Sequence, residues 1–404
     1  MDSIAIVTRL QQQVDDDTHA LNELSTVYQA HSQQVEEADD TPTPVIDSFF
    51  SQGGNAALTT MSNFTLAEIE TIWAVVEPAM VTSWTMGRGR KSKTSPKDAF
   101  FMLLSVLKHC NAWDKHALDF NMKAPTFEKM IQRVIDIYVM PVNMTRQVQQ
   151  GKAFANFPSA LYCTDVKFQP SYRPTGRFDE AKHYFSGKHK LYGLKLEYSV
   201  AYPGVAVDIS DHTPGSVSDL TIFKQRRNIH QEMLRKSAPE LDTVDHDEGS
   251  DEYPDSWSVL VDMGYQGLRS EVRAIHPTRR PQGGLLSARE LERNGRVSSD
   301  QVLVENYFGR ICSLWKIMRE TYKWNENRFD VVSRLCCALT NAHVSWMPLR
   351  GTDGIYYHGV LSRYSSMSNE AARKRSRAQA QYRARRARHL ELTSPQVDRR
   401  RSIF

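Results

Sequence analysis

Three carboxylates stand out because each falls on an element that its neighbours mark as buried. Asp165 lies inside the run LYCTDVKF, read as a strand over Ala160 to Phe168. Asp262 closes the continuous apolar run Trp257 to Val261, which suits a strand covered on both faces. Glu305 sits in a helix beside the stripe Val304, Phe308, Ile311, Trp315 and Met318. An acid on a buried element is costly unless it meets a partner or a metal. Each has a simpler reading when taken alone: Asp165 could bond a neighbouring turn, Asp262 could open the turn at Gly264, and Glu305 could pair with Lys or Arg. Together, in the order strand, strand, helix, they could form one site. Three clustered carboxylates repel one another and call for a cation, and all-oxygen ligation suits Mg²⁺ or Mn²⁺. Two such ions ~4 Å apart serve in-line phosphodiester cleavage without a side-chain nucleophile. Gly-rich phosphate loops, an HExxH helix and a nucleophilic serine elbow are all absent from the sequence.

The elements that must position these acids read as a mixed sheet. Lys190 to Val200 alternates, with Tyr192, Leu194, Leu196, Tyr198 and Val200 on one face against Lys195, Glu197 and Ser199 on the other. Tyr202-Pro203-Gly204 turns the chain into Val205 to Ile209, predicting a hairpin. A helix from near Ser216 through Phe223 crosses to the strand that ends at Asp262. In such a sheet the first strand and the one after the crossover helix can be neighbours, so that their acids meet. A helix from Ser299 to about Tyr322, packed across that end, could bring in Glu305, with Gly309 one turn on leaving space beside it. A second helix, Arg328 to Val344, closes the fold. The span 266–297 reads as a basic loop, and Asp242 to Asp255, with seven carboxylates and no apolar period, reads as a disordered insertion.

Upstream the pattern is helical. Residues 1–37 carry an amphipathic stripe (Ile4, Val7, Leu10, Val14, Leu21, Leu24, Val27) that could pair with another helix or fold back on its own domain, and 38–62 read as linker. Residues 63–150 form an all-helical, helix-turn-helix-like domain: Ser95-Pro96 caps one helix, Trp113 to Phe120 forms a second, and a third follows Ala124-Pro125-Thr126. DNA contact and a plain helical bundle are both compatible with that periodicity.

At 404 residues the chain is long enough for two or three domains, and its net charge of +4 conceals clustering. Arg88, Arg90, Lys91 and Lys93 lie in one Gly-rich loop. Eleven basic residues follow position 370, among them Arg373, Lys374, Arg375, Arg377, Arg385 and Arg386. With no apolar stripe to dock it, the tail over 361–404 is expected to be disordered, to add affinity for DNA phosphate and to direct the chain to the nucleus. The longest nearly apolar run, Ala99 to Leu107, is far short of the ~20 residues that span a bilayer, and the first residues lack a secretory pattern. Neither membrane insertion nor secretion is expected. Five cysteines without CxxC spacing argue against a disulfide framework and a zinc knuckle.

Several segments between about Ser95 and His343 resemble the Harbinger-type (PIF/Harbinger) transposases and their domesticated relatives, the DDE superfamily endonucleases. They are Thr164-Asp165-Val-Lys, Tyr184 to Lys190, Pro214-Gly-Ser-Val-Ser-Asp219, Leu260-Val-Asp262-Met-Gly-Tyr265 and Val304-Glu305-Asn-Tyr-Phe-Gly-Arg310. The resemblance implies an α/β chain with an RNase H-like mixed-sheet nuclease domain over 156–346, cutting or joining DNA through Asp165, Asp262 and Glu305 and two Mg²⁺ or Mn²⁺ ions. It implies Asp219 as a further ligand or supporting acid, although a helix-start Asp also suits a cap. A Myb-like DNA-binding partner is implied too, and an active form built from several copies is expected. Val166 and Asn306 depart from the resemblance, which has Gly after the first acid and Arg after the Glu. A domesticated, non-catalytic DNA-binding or adaptor protein is the alternative.

Overall fold

The computed structural model describes Thr18, Glu23 and residues 41–86, 92–137, 153–175 and 178–393. Beyond Thr18 and Glu23 the amphipathic segment 1–37 lies outside the described residues, as do Arg88, Arg90 and Lys91. The chain divides into two compact units at residue 138.

The first unit is wholly helical over its described residues: α1 (Pro44–Ser62), α2 (Leu66–Thr85), α3 (Pro96–His109), α4 (Trp113–Asp119) and α5 (Ala124–Ile137). Segment 44–62, expected to be linker, is α1. Its Gly53-Gly54 pair is a kink within the helix and not a loop. A local signal was overridden by a distant one, because the buried carboxylate of Asp98 accepts the Ile46 N–H at 3.1 Å and so caps the start of α1. Ser95 caps α3 as its sequence predicts, accepting from the Asp98 N–H at 3.0 Å. The apolar run of α3 is buried throughout and forms the centre of the bundle.

The second unit is a mixed α/β structure. Its strands are β1 (Ala160–Pro170), β2 (Phe185–Ser186), β3 (Leu191–Ala201), β4 (Val205–Ile209), β5 (Thr213–Pro214), β6 (Ser258–Val261) and β7 (Ala274–Ile275), and a short helix, α6 (Phe178–His183), precedes β2. The sheet runs β2-β3-β1-β6-β7, with β4 and β5 also paired to β3. β1 and β3 are antiparallel, whereas β1, β6 and β7 are parallel. The crossover between β5 and β6 carries α7 (Asp219–Gln225) and α8 (Arg227–Leu234), which cover one face with a core of Tyr162, Phe223, Leu234, Val259, Val261 and Tyr265. α9 (Ala288–Leu314) packs on β1, β3 and β6, and α10 (Phe329–Trp346) and α11 (Gly351–Thr393) pack on α9. No helix among the described residues is long and apolar enough to cross a membrane.

The polar side of β3 is buried: Glu197 accepts from Arg226 at 2.7 Å and meets His230 at 3.0 Å, and Lys195 reaches Asp219 at 2.9 Å. Two expectations need correction. α9 begins at Ala288, about a dozen residues early, because Ser287 and Glu290 form a capping box within what reads as loop. The acidic stretch 242–255 is held to the fold. Asp245 binds the buried Arg273 at 3.0 Å and the buried Lys236 at 3.2 Å, and Asp247 accepts the Ser159 N–H at 2.9 Å. Its composition matches disorder, but two buried cations elsewhere in the chain require its charge.

The hydrogen bonds from Arg273 hold the Asp245 carboxyl down to about 2. Because this folded-state value lies below the unfolded one, its stabilisation is complete above the ordinary carboxylate range and is lost as pH falls through about 2. Asp245→Ala leaves Arg273 and Lys236 without their counter-charge and is expected to cost about 3 kcal/mol or more. Urea unfolding at neutral pH reads this as a lower midpoint; an unchanged midpoint would make the segment solvated decoration.

Candidate active site

Strand register alone brings two of the acids together. In the parallel pair β1–β6, Cys163 lies opposite Leu260 and Thr164 opposite Val261, so the next step along both strands sets Asp165 beside Asp262. Neighbouring strands are ~4.8 Å apart. Asp262 is exposed and opens the turn Met263–Tyr265, whose last N–H returns to the Asp262 carbonyl at 3.1 Å. The turn expected at Gly264 is therefore present, and it aims the chain away from the sheet immediately after the acid.

Asp165 is partly buried, and the Val166 N–H donates to its Oδ1 at 2.7 Å. Its carboxyl is pushed up to about 7, chiefly by burial and further by the carboxylates of Asp219 and Asp262, with Val166 N–H and Lys188 opposing. Burial disfavours the charged form, and two neighbouring carboxylates add to it. Asp219 occupies the first residue of α7, but it is not the cap. Ser218 is, accepting the Thr221 N–H at 3.1 Å, while the Asp219 carboxylate lies 2.9 Å from Lys195 Nζ and 3.7 Å from Lys188 Nζ.

Glu305 stands on α9 directly after the buried Val304, its side chain 41% exposed and its carboxylate 3.6 Å from His358 Nε2 of α11. Asp165 and Glu305 both raise the pKa of the buried Tyr357 hydroxyl, after the larger effect of burial, so the two acids lie within electrostatic reach of one phenol. Among the described residues no three His, Cys, Asp or Glu side chains stand close enough to enclose one metal ion. The donors present are nevertheless the all-oxygen kind that Mg²⁺ and Mn²⁺ take.

Gly309 does not open space beside the acid as the sequence reading has it. A Cβ there would run into the backbone carbonyl of Asp353, so its bare Cα seats the first turn of α11 against α9. Asn306 serves the same joint by accepting the Gly354 N–H at 3.0 Å. Arg310, which is buried, completes it through Asp353 at 2.8 Å and the Pro348 carbonyl at 3.1 Å. The departure at Asn306 thus has a structural use in this chain.

Sequence reasoning missed Tyr265 as a neighbour of the acids. It is 1% exposed, its ring meets Phe223 edge-on at 6.0 Å, and its hydroxyl has no hydrogen-bond partner among the described residues. Asp165, Glu197, Asp219 and Asp262 all add to the effect of burial in raising its pKa. The Tyr162–His230–Glu197–Arg226–Asp208 chain, buried at its first three members and half-buried at the last two, was also missed, with links of 2.9, 3.0, 2.7 and 2.7 Å. Only the alternation of β3 pointed towards it, and alternation does not distinguish a wet polar face from a buried polar network.

Of the basic residues singled out in the sequence, Lys93 is exposed and lines an open groove of about 980 Å³ in the first unit, together with Lys123, Lys129, Arg133 and Trp84. Arg373, Lys374, Arg375, Arg377, Arg385 and Arg386 are exposed on α11. Over 361–393 the expected disordered tail is therefore helix, and only 394–404 lie outside the described residues. The seated first turn supplies the long-range nucleation that composition does not report.

Residues 161–341 match the model of a family described as DDE superfamily endonuclease. The matched segment contains Asp165, Asp219, Asp262 and Glu305. No curated protein and no solved structure matches the chain.

Proposed function

We propose that this chain is a metal-dependent DNA endonuclease of the transposase kind, related to the Harbinger type, whose site is Asp165, Asp262 and Glu305 with Asp219 in support. The observation that carries the reading is the β1–β6 register, which sets Asp165, in the middle of β1, beside Asp262, just past the end of β6, inside the segment matched to DDE endonucleases. The strand order β4-β3-β1-β6-β7, three antiparallel strands followed by two parallel to the first, supports an RNase H-like core.

In this reading Asp165, Asp262 and Glu305, with Asp219 in support, would hold the two divalent ions, Glu305 and Asp219 after leaving His358 and Lys195. Bound Mg²⁺ or Mn²⁺ supplies activation of the attacking water or 3′-hydroxyl and stabilisation of the leaving oxygen. The chain's own part is to gather the acids on rigid elements and keep Asp165 deprotonated once its charge is matched. Basic surfaces around Arg88, Arg90, Lys91 and Lys93, and on α11, would hold the DNA. Nuclear location, a Myb-like partner and assembly from several copies extend the same reading.

A second reading, a domesticated DNA-binding or adaptor protein without catalysis, draws on the lysines that neutralise Asp219 and on the His358 contact of Glu305. Duplexes carrying the terminal repeats that flank the gene, incubated with the full chain and Mg²⁺ or Mn²⁺, separate the two. Strand cuts that vanish in chelator are expected; tight binding with no cut under either metal would favour the adaptor.

A further inference from the structure

We infer that the C-terminal part of α11 is a preformed basic arm that enters the major groove of duplex DNA, tied rigidly to the helix that carries Glu305. The inference rests on the DNA reading above and specifies how that substrate is held.

α11 is clamped at its start by Asn306, Gly309 and Arg310 of α9. Further along, Arg363 binds Glu320 at 2.9 Å and the Tyr364 hydroxyl donates to the Arg319 carbonyl at 3.0 Å. Ser368 is the last buried residue among those described. From 372 to 389 every residue is exposed and the helix continues unbroken, a free rod of ~27 Å at 1.5 Å per residue.

Residues 371–389 hold eight Arg and Lys and no acid. Just before them, Glu370 pairs with Lys374 at 2.7 Å. A helix so charged repels itself and gains from a polyanion. At 100° per residue, Arg375 and Arg386 lie nearly opposite Arg373, Arg377 and Arg388, with Lys374 and Arg385 between them and Arg383 beyond, so both flanks and the back of the helix are cationic and can meet two phosphate-lined walls. Ser376, Ala380 and Ala387 share one narrow side, where the rod is slim enough to approach base edges. A helix of 10–12 Å diameter fits the ~12 Å major groove of B-form DNA, and ~27 Å follows about eight base pairs. Apart from Tyr382 nothing larger than Ala is apolar over 372–389, which removes the stripe that a coiled-coil partner or a membrane surface would need.

The test measures binding by the full chain, without divalent metal, to a DNA duplex and to an RNA duplex of the same sequence. Two arm variants accompany it, each checked by circular dichroism. Arg375→Gln, Arg377→Gln, Arg385→Gln and Arg386→Gln together should lower DNA affinity at least about a hundredfold at low salt and flatten the log–log salt slope by roughly 3.6, at 0.9 per phosphate contact. Ala378→Gly, Ala380→Gly and Ala384→Gly together keep every charge but soften the helix, and should cost about tenfold with little change in slope. The native chain should prefer the DNA duplex by about tenfold or more, because the A-form major groove is too narrow for a helix. Equal affinity for the two duplexes, or a glycine variant that binds like the native chain, overturns the proposal by reducing the arm to generic charge. Binding that ignores both variants overturns it as well. Loss of metal-dependent cutting with arm-dependent binding intact counts against the nuclease reading and not against the arm.

Discussion

Asp165→Asn is expected to make the metal-free chain melt at a higher temperature at pH 8 while slowing strand cutting severely. The sign follows from the raised carboxyl. In the folded chain Asp165 titrates at about 7, against an ordinary value of 3.8, so the folded state binds that proton more tightly than the unfolded one. Stability is then highest below the unfolded value, declines as pH rises from about 4 to about 7, and stays low above it. Asn carries no charge to bury, so the variant escapes the decline. At pH 4 the two proteins should melt alike; at pH 8 in chelator the variant should melt higher by on the order of 4 °C, the shift that roughly 1–2 kcal/mol produces in a domain of this size. Mn²⁺ should raise the native melting temperature and leave the variant nearly unmoved. Cutting should fall by about a thousandfold, since the lost ligand removes several kcal/mol of transition-state stabilisation. Scanning fluorimetry across pH reads the first part and gel-resolved nicking the second. A variant that melts lower than the native chain at pH 8 would recast Asp165 as half of a structural ion pair.

The joint between α9 and α11 should respond as sharply to a single methyl group. Gly309→Ala drives a Cβ into the Asp353 backbone, which cannot step aside without unseating the first turn of α11. The Asn306–Gly354 and Arg310–Asp353 bonds go with it. The expected cost is about 3 kcal/mol or more, at or above the upper end for overpacking. Gly354→Ala is the calibrating change. Its Cβ would lie 2.6 Å from Asn306 Oδ1, the end of a side chain that can rotate away, so about 1 kcal/mol is expected for one strained hydrogen bond. Denaturant unfolding should rank Gly309→Ala well below Gly354→Ala, and the former should also lose cutting because the helix bearing Glu305 shifts. Equal stabilities would mean that α11 is not seated through Gly309.

These two sites also mark where the sequence was legible. Asp165 and Asp262 could be paired from sequence because strand period, the length of the apolar run Trp257 to Val261 and the crossover helix are local signals that jointly constrain sheet order. The cap at Ser95 follows the same logic, whereas at the start of α7 the sequence points to Asp219 and the cap is its neighbour Ser218. What stayed hidden depends on partners far apart in the chain. Gly309 reads as empty space until Asp353 is brought against it, α1 reads as linker until Asp98 caps it, and 242–255 reads as disorder until Arg273 and Lys236 claim Asp245. α11 defeats composition for the same reason: its anchor lies in residues 306–310, while its exposed half has the charge of a disordered tail. Glu305 was placed on the right helix, but its contact with His358 depends on a helix that could not be foreseen.

Whether these acids share a metal centre can be read directly by supplying Fe²⁺ to the full chain bound to duplex DNA and adding ascorbate and peroxide. Hydroxyl radicals formed at the ion cut the backbone next to its ligands, and mass spectrometry maps the ends. The expected result is cuts confined to the segments 162–168, 216–222, 260–266 and 302–308, with excess Mg²⁺ suppressing them together. Cuts gathered elsewhere, such as the acidic stretch 242–255, or the absence of any site that Mg²⁺ competes for, would contradict the assignment of Asp165, Asp262 and Glu305 to one metal-dependent centre.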